Sequence, residues 1–193
     1  VLEQESQPGY HSSGRSAALF TETYGGASTD GLTAASRGFL ETPPPGFCAH
    51  PLLTPRGMLL VGTDEDRAAM AGRIEALRAH TPAVRSLSGA EAQALVPELK
   101  PAAAACALLE PGAMDIDTHA LHSGYLRGAR AHGAAILCNA AVERIEPWGR
   151  GWRLTTRAGV IEAPMLVNAA GAWADDVARM AGLAPLGIVA RRR

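Results

Sequence analysis

Residues 165–173 read MLVNAAGAW, and the reading of this stretch decides the fold class. Met165, Leu166 and Val167 form a wholly apolar run, the pattern of a strand buried on both faces. The run enters Asn168, Ala169, Ala170 and Gly171, and a helix is expected from Ala174 to Met180. A strand that feeds a helix through residues with almost no side-chain volume brings its backbone close to something flat or bulky. Tight strand-to-helix packing uses small residues equally well, so both readings stand at this point.

Working back from this stretch, residues 135–168 are rich in strand signals: AAILCN, VERIEP, residues 152–156, VIEA and MLVN. Turns at residues 149–151 and 158–159 separate the middle ones, which predicts a β-meander. Residues 118–132 read as a helix with Asp117 as N-cap and Gly133 as its stop. Residues 102–109 form an apolar run read as a strand, and Pro111-Gly112 turns the chain. Ser88 followed by Glu91 predicts a capping box that opens a short helix to about Leu95. Residues 64–80 are amphipathic, with Ala68, Met70, Ile74 and Leu77 on one face. Residues 58–61 read as a strand. Residues 30–41 have helical spacing, and Pro43, Pro44, Pro45 and Gly46 stop that helix. Strands alternating with helices imply an α/β fold with a parallel sheet and an antiparallel accessory.

The 193 residues carry 18 Lys+Arg against 19 Asp+Glu, a formal net charge of -1, which excludes a strongly basic nucleic-acid or membrane-surface binder. Hydrophobic residues are 47% and charged residues 19%, a globular balance that argues against long disorder. Lys100 is the only lysine, and with so much Ala and Gly this points to a GC-rich bacterial coding preference. Cys48, Cys106 and Cys138 lie far apart, so neither a disulfide framework nor a zinc cluster is expected. No run is apolar enough to span a bilayer. The expectation is a cytoplasmic protein, with a peripheral place at the inner membrane as the alternative. The chain opens on Val1 at the tail of a buried strand and closes on three arginines, so an interior portion of a longer protein is expected rather than a clean domain.

Three stretches could carry chemistry. In Val1-Leu2-Glu3, an acidic residue ends an apolar strand, where a dinucleotide fold holds the adenosine ribose. In residues 12–18 (SSGRSAA), small residues around Gly14 let backbone approach a ligand, while N–H groups and Arg15 face a pyrophosphate. An ordinary turn into a helix starting near Arg15 accounts for the same residues. The third is residues 166–173. Asp115, Asp117, His119 and His122 do not make a metal site, because only the two histidines share a helix face and Asp117 serves better as a cap. There is no G-x-S-x-G elbow and no Cys/His pairing for a nucleophile.

Taken in order, VLEQESQPGYHSSGRSAA, LTAASRGF, PPPGFCAHPLL, DIDTHALHSGYLRGAR, LVNAAGAWAD and PLGIVARRR resemble the FAD-dependent oxidoreductases of the D-amino-acid oxidase and glycine oxidase superfamily, nearest its bacterial D-arginine dehydrogenase branch. The resemblance implies a Rossmann-like, parallel-sheet FAD-binding domain (residues 1–46 and 111–182, its first βα unit missing). It also implies part of a mixed-sheet substrate domain (residues 47–110, with 183–193 starting the return to it). The implied reaction is oxidative deamination of a D-amino acid: hydride passes from Cα to flavin, and the imine is hydrolysed to 2-keto acid and ammonia.

The resemblance assigns residues to the cofactor. Glu3 binds the adenosine ribose with Gln4 beside it. Ser12, Ser13, Gly14, Arg15, Ser16, Ala17, Ala18 and Leu19 line the pyrophosphate and isoalloxazine side. Val142 meets the adenine through its backbone, and Ala170 and Gly171 pass close to the cofactor. Thr21 and Tyr24 fall on a mobile loop where the family uses a Tyr to close over the substrate, and Arg193 grips the substrate carboxylate. Two departures matter: Leu19 stands where the D-arginine enzymes have a histidine, and Met58 where they have a glutamate for the guanidinium. An unpaired guanidinium would lose its water without a buried charge in return, so neutral or apolar D-amino acids are expected to be favoured. The electron acceptor, quinone or oxygen, is left open. The competing readings are a flavoenzyme for a secondary amine of sarcosine or glycine type or a 2-hydroxy acid, and a non-catalytic fragment unable to hold FAD by itself because the G-x-G-x-x-G turn is missing.

Overall fold

A computed structural model describes residues 1–25 and 27–189, with Ala27 and Ser28 described in backbone only. Two units emerge: a mid-chain unit, His11–Gly128, and a terminal unit that joins Val1–Tyr10 to the chain from Ala129 onward.

In the mid-chain unit, β1 (Leu19–Phe20) leads to α1 (Ala27–Glu41), then β2 (Leu53–Pro55) and β3 (Met58–Gly62). Next come α2 (Arg67–Leu77), β4 (Arg85–Ser88) and α3 (Gly89–Leu95), then β5 (Cys106–Glu110), β6 (Met114–Ile116) and α4 (Thr118–Ala131). β5 and β6 follow one another across a short turn, and each is the middle strand of a three-stranded sheet, β3-β5-β4 and β1-β6-β2. All the pairings are antiparallel. The Ala-Cys-Ala-Leu-Leu run is apolar because β5 has strands on both sides and α2 over it; Cys106, Ala107 and Leu108 are buried.

Met70, Ile74 and Leu77 of α2 pack on Val84, Cys106 and Leu108, with Met58 against the cluster. Each such side chain contributes roughly 1.5–3 kcal/mol by leaving water. Ala68, expected on this face, is exposed. The helix also starts later than its pattern suggests: the Asp66 carboxylate turns back to accept from the Thr63 N–H and hydroxyl, so residues 64–66 form a turn. The capping box at α3 forms, with the Ser88 hydroxyl accepting from the Glu91 N–H while Glu91 accepts from the Ser88 N–H. Residues 102–109 are strand only from Cys106; Pro101 opens a 3₁₀ turn, Pro101–Ala103, instead.

The second sheet of this unit packs Phe20, Leu40, Leu52 and Leu53 with Phe39, Phe47, Ala120 and Leu121. Here α4 comes so close that a Cβ on Gly124 would lie 2.5 Å from the Phe47 ring.

In the terminal unit, β7 (Val142–Trp148), β8 (Gly151–Thr156) and β9 (Gly159–Ala163) form the expected meander, and α5 (Ala174–Met180) follows. The α/β class holds, but the sheets are small and antiparallel. The parallel component among the described residues is a single bridge, Leu2 to Leu137. Residues 135–139 therefore contribute that bridge rather than a full strand. Residues 165–167 pair with nothing described, and Met165 and Val167 are 76% and 75% exposed. An apolar run is a strand only where a neighbour supplies its ladder.

Two outcomes follow from this packing. Gly124→Ala, which must displace the Phe47 ring, is expected to lower stability by about 1–3 kcal/mol in urea unfolding. The Ser88 hydroxyl, and then its N–H, hold the Glu91 carboxyl below its ordinary range. This stabilisation is present above the unfolded-state value and lost as pH falls through the folded one. Ser88→Ala is expected to raise the Glu91 pKa in an NMR titration and to weaken the acid dependence of stability.

Candidate functional site

Thr118, Leu121, His122 and Tyr125 recur on α4 at the spacing of one helix face. With Ser12, Ser13 and Ser16 they line an open cleft of about 390 Å³. The serine loop is shaped by its own hydrogen bonds. Arg15 N–H donates to the His11 carbonyl at 3.0 Å and closes a turn. The Ser16 hydroxyl then accepts from the Ala18 N–H at 3.0 Å. Ala18 sits in the left-handed region (φ +54), and its carbonyl accepts from Ile116 N–H at 2.8 Å, which starts β1 on β6. A helix beginning near Arg15 does not form. Tyr125 is held in the opposite wall by stacking on Phe39 and an edge contact to Phe47, at 5.8 and 5.2 Å between centroids.

Chemically the cleft offers serine and threonine hydroxyls and an imidazole beside the apolar surfaces of Leu121 and Tyr125. Hydroxyls that can both donate and accept suit phosphate and sugar oxygens, and the apolar wall suits the face of a ring.

A second cluster lies in the same unit. Glu110, at the end of β5, is fully buried. It accepts from the hydroxyls of Thr21 and Thr23 at 2.5 Å each and from Glu22 N–H at 2.8 Å. Glu22 in turn pairs with Arg37 at 2.8 Å, and Arg37 donates to the Gly112 carbonyl and lies over the Phe20 ring. The hydrogen bond to Glu22 raises the Arg37 guanidinium above its ordinary value, against the burial that lowers it. Arg73 donates to the Thr23 carbonyl.

The sequence-predicted residues divide between the units. In the mid-chain unit, Ser12, Ser13 and Ser16 come together at the cleft, with Gly14, Arg15, Ala17 and Ala18 along the same loop. Leu19 is in β1 opposite Asp115, Thr21 is bound to Glu110, Tyr24 is 66% exposed, and Met58 packs against the α2 cluster. In the terminal unit, Glu3 accepts from Ala140 N–H and donates to the Leu137 carbonyl through its backbone, and its carboxylate accepts from Glu5 N–H at 3.0 Å. Gln4 is exposed, and Val142 opens β7 opposite Thr156. Asn168 braces the small-residue loop, accepting from Ala170 N–H and donating to the Ala174 carbonyl. Gly171 there has φ +56 and open space where a side chain would stand. Arg193 lies outside the described residues.

The four residues weighed as metal ligands have other tasks. Asp115 pairs with Arg56 and Asp117 caps α4 through Ala120 N–H, while His119 is 3.5 Å from the Ser123 hydroxyl and His122 lines the cleft. Glu110, Thr23, Arg37 and Arg73 escape sequence reasoning. The available signal was a carboxylate closing an apolar strand before Pro-Gly, the pattern noticed at Glu3.

Across residues 1–193 the sequence matches the DAO family, FAD dependent oxidoreductase. The chain belongs to this family. Among curated relatives, mouse (Mus musculus) mitochondrial dimethylglycine dehydrogenase is 39% identical over 77 residues, which is 39% of this chain and 9% of that protein. Among solved structures, glycine oxidase from Geobacillus kaustophilus matches with TM-score 0.80 and 22% identity over 95% of this chain and 51% of that one. L-alpha-glycerophosphate oxidase from Mycoplasma pneumoniae with FAD bound matches with TM-score 0.74 and 17% identity, over 94% and 50%. The chain thus spans about half the length of these two solved structures, and at such identities that likeness is one of fold.

The Ser12, Ser13 and Ser16 hydroxyls at the cleft are of a kind that could hold oxygens of FAD. No helix among the described residues is long and apolar enough to cross a membrane. With φ +56 and open space where a side chain would stand, Gly171→Ala is expected to cost about 1 kcal/mol in urea unfolding, and Gly171→Asn less, because Asn tolerates the left-handed region.

Proposed function

We propose that the whole protein is a flavoenzyme that oxidises the carbon bearing the nitrogen of a D-amino acid, favouring neutral or apolar side chains. The observation that carries this reading is the serine-lined cleft in a chain that matches the DAO family throughout. When bound, FAD supplies the hydride acceptor. Glu3 would take the adenosine ribose with Gln4 beside it, Val142 the adenine through its backbone, and Ala170 and Gly171 the close approach. Residues 12–19 would hold the remaining oxygens.

For the substrate, Arg193 would grip the carboxylate bidentately. Tyr24 would cover the amino acid, and Thr21, Leu19 and Met58 would shape its surroundings. The side-chain preference is supported by Met58, which packs among Met70, Ile74 and Leu77 and brings no charge to a guanidinium. A substrate amine deprotonated in the pocket needs no separate general base, and water then hydrolyses the imine to keto acid and ammonia.

A second reading keeps the flavin and changes the substrate. The stretch shared with dimethylglycine dehydrogenase favours an N-substituted amine, and the fold shared with a glycerophosphate oxidase extends to hydroxyl substrates.

A panel of D-amino acids assayed on the full-length holoenzyme, with ammonia and keto acid measured together, separates these readings. D-Leucine and D-phenylalanine are expected to outrank D-arginine, with ammonia and keto acid released one to one. D-Arginine ranking first would refute the preference, and turnover of sarcosine or dimethylglycine without ammonia would favour the second reading. Replacing Ser12 and Ser13 by Val should weaken FAD retention roughly tenfold, followed by the flavin band after dialysis.

A further inference from the structure

We propose that Glu110 is a positioning residue for the substrate cover: its buried carboxylate fixes residues 21–23 and with them the place from which the Tyr24 side chain projects. The inference rests on the reading of Tyr24 as the residue that closes over the substrate. A carboxylate with no exposed surface must gather its hydrogen bonds from the protein or lose much of its solvation. Glu110 is 0% exposed, and the donors found for it are two hydroxyls and one N–H from three successive residues, Thr21, Glu22 and Thr23.

Those residues are held from other sides as well, Glu22 by Arg37 and the Thr23 carbonyl by Arg73. Thr23 is 2% exposed and Tyr24, next in the chain, 66% exposed. Residues 21–23 are thus bonded to β5, α1 and α2, and the Tyr24 ring just after them stands in solvent. Where that segment is held sets where Tyr24 can reach, and Glu110 would act on the substrate only through it.

The test uses the full-length holoenzyme, with its flavin band as the check of folding and its preferred D-amino acid as substrate. Thr23→Val removes one hydroxyl and keeps the shape; Thr23→Ser restores the hydroxyl. KM is expected to rise roughly tenfold in Thr23→Val with kcat within about threefold, and to return near its starting value in Thr23→Ser. Glu110→Gln keeps one acceptor oxygen and should raise KM about threefold, which keeps the proposal testable if Thr23→Val does not fold. A Tyr24→Ala variant measured alongside separates two failures. If Tyr24→Ala raises KM while Thr23→Val and Glu110→Gln leave it unchanged, the anchoring role is overturned and the cover stands. If Tyr24→Ala leaves KM unchanged, the cover reading falls, and this proposal with it.

Discussion

A carboxylate removed from water cannot be left without donors, and the mid-chain unit is arranged around meeting that demand at Glu110. The residue closes β5, the middle strand of one sheet, just before the turn that starts β6, the middle strand of the other. Its donors follow directly on β1, an edge strand of the β6 sheet. The interaction therefore ties the two sheets where the chain passes between them. Arg37 extends it through Glu22 to the Gly112 carbonyl in that same turn. Apolar packing on either side, α2 over β5 and α1 with α4 over the second sheet, supplies most of the stability. The polar joint supplies the register between the two.

How much of this could be read from the residues depended on how local the cause was. The Ser88–Glu91 cap, the Asp117 cap and the turns of the meander are settled within a few residues of themselves, and they form as read. Residues 165–167 look like a buried strand, yet pairing is a property of two segments, and no described neighbour supplies the second. The α2 start moved because Asp66 bonds back to Thr63, a choice of partner that periodicity does not encode. Glu110 was out of reach because its partners lie 87 to 89 positions away. Within the cleft, the serines are legible as small polar residues, whereas the α4 face with Thr118, Leu121, His122 and Tyr125 shows in the sequence only as the spacing of a helix.

The fold carries a family and not a substrate. Hydroxyls at the cleft can bond many oxygen-bearing ligands and do not name a substrate. Leu19 and Met58 sit in strands, Leu19 in β1 opposite Asp115 and Met58 in β3 against the α2 cluster.

Asp175, buried in the first turn of α5, receives the N–H groups of Leu186 and Gly187 at 2.9 Å each. One side chain thus chooses the direction in which the polypeptide leaves the helix. The number of intervening residues is fixed by that grip: an insertion or deletion among them would carry Leu186 and Gly187 past the carboxylate.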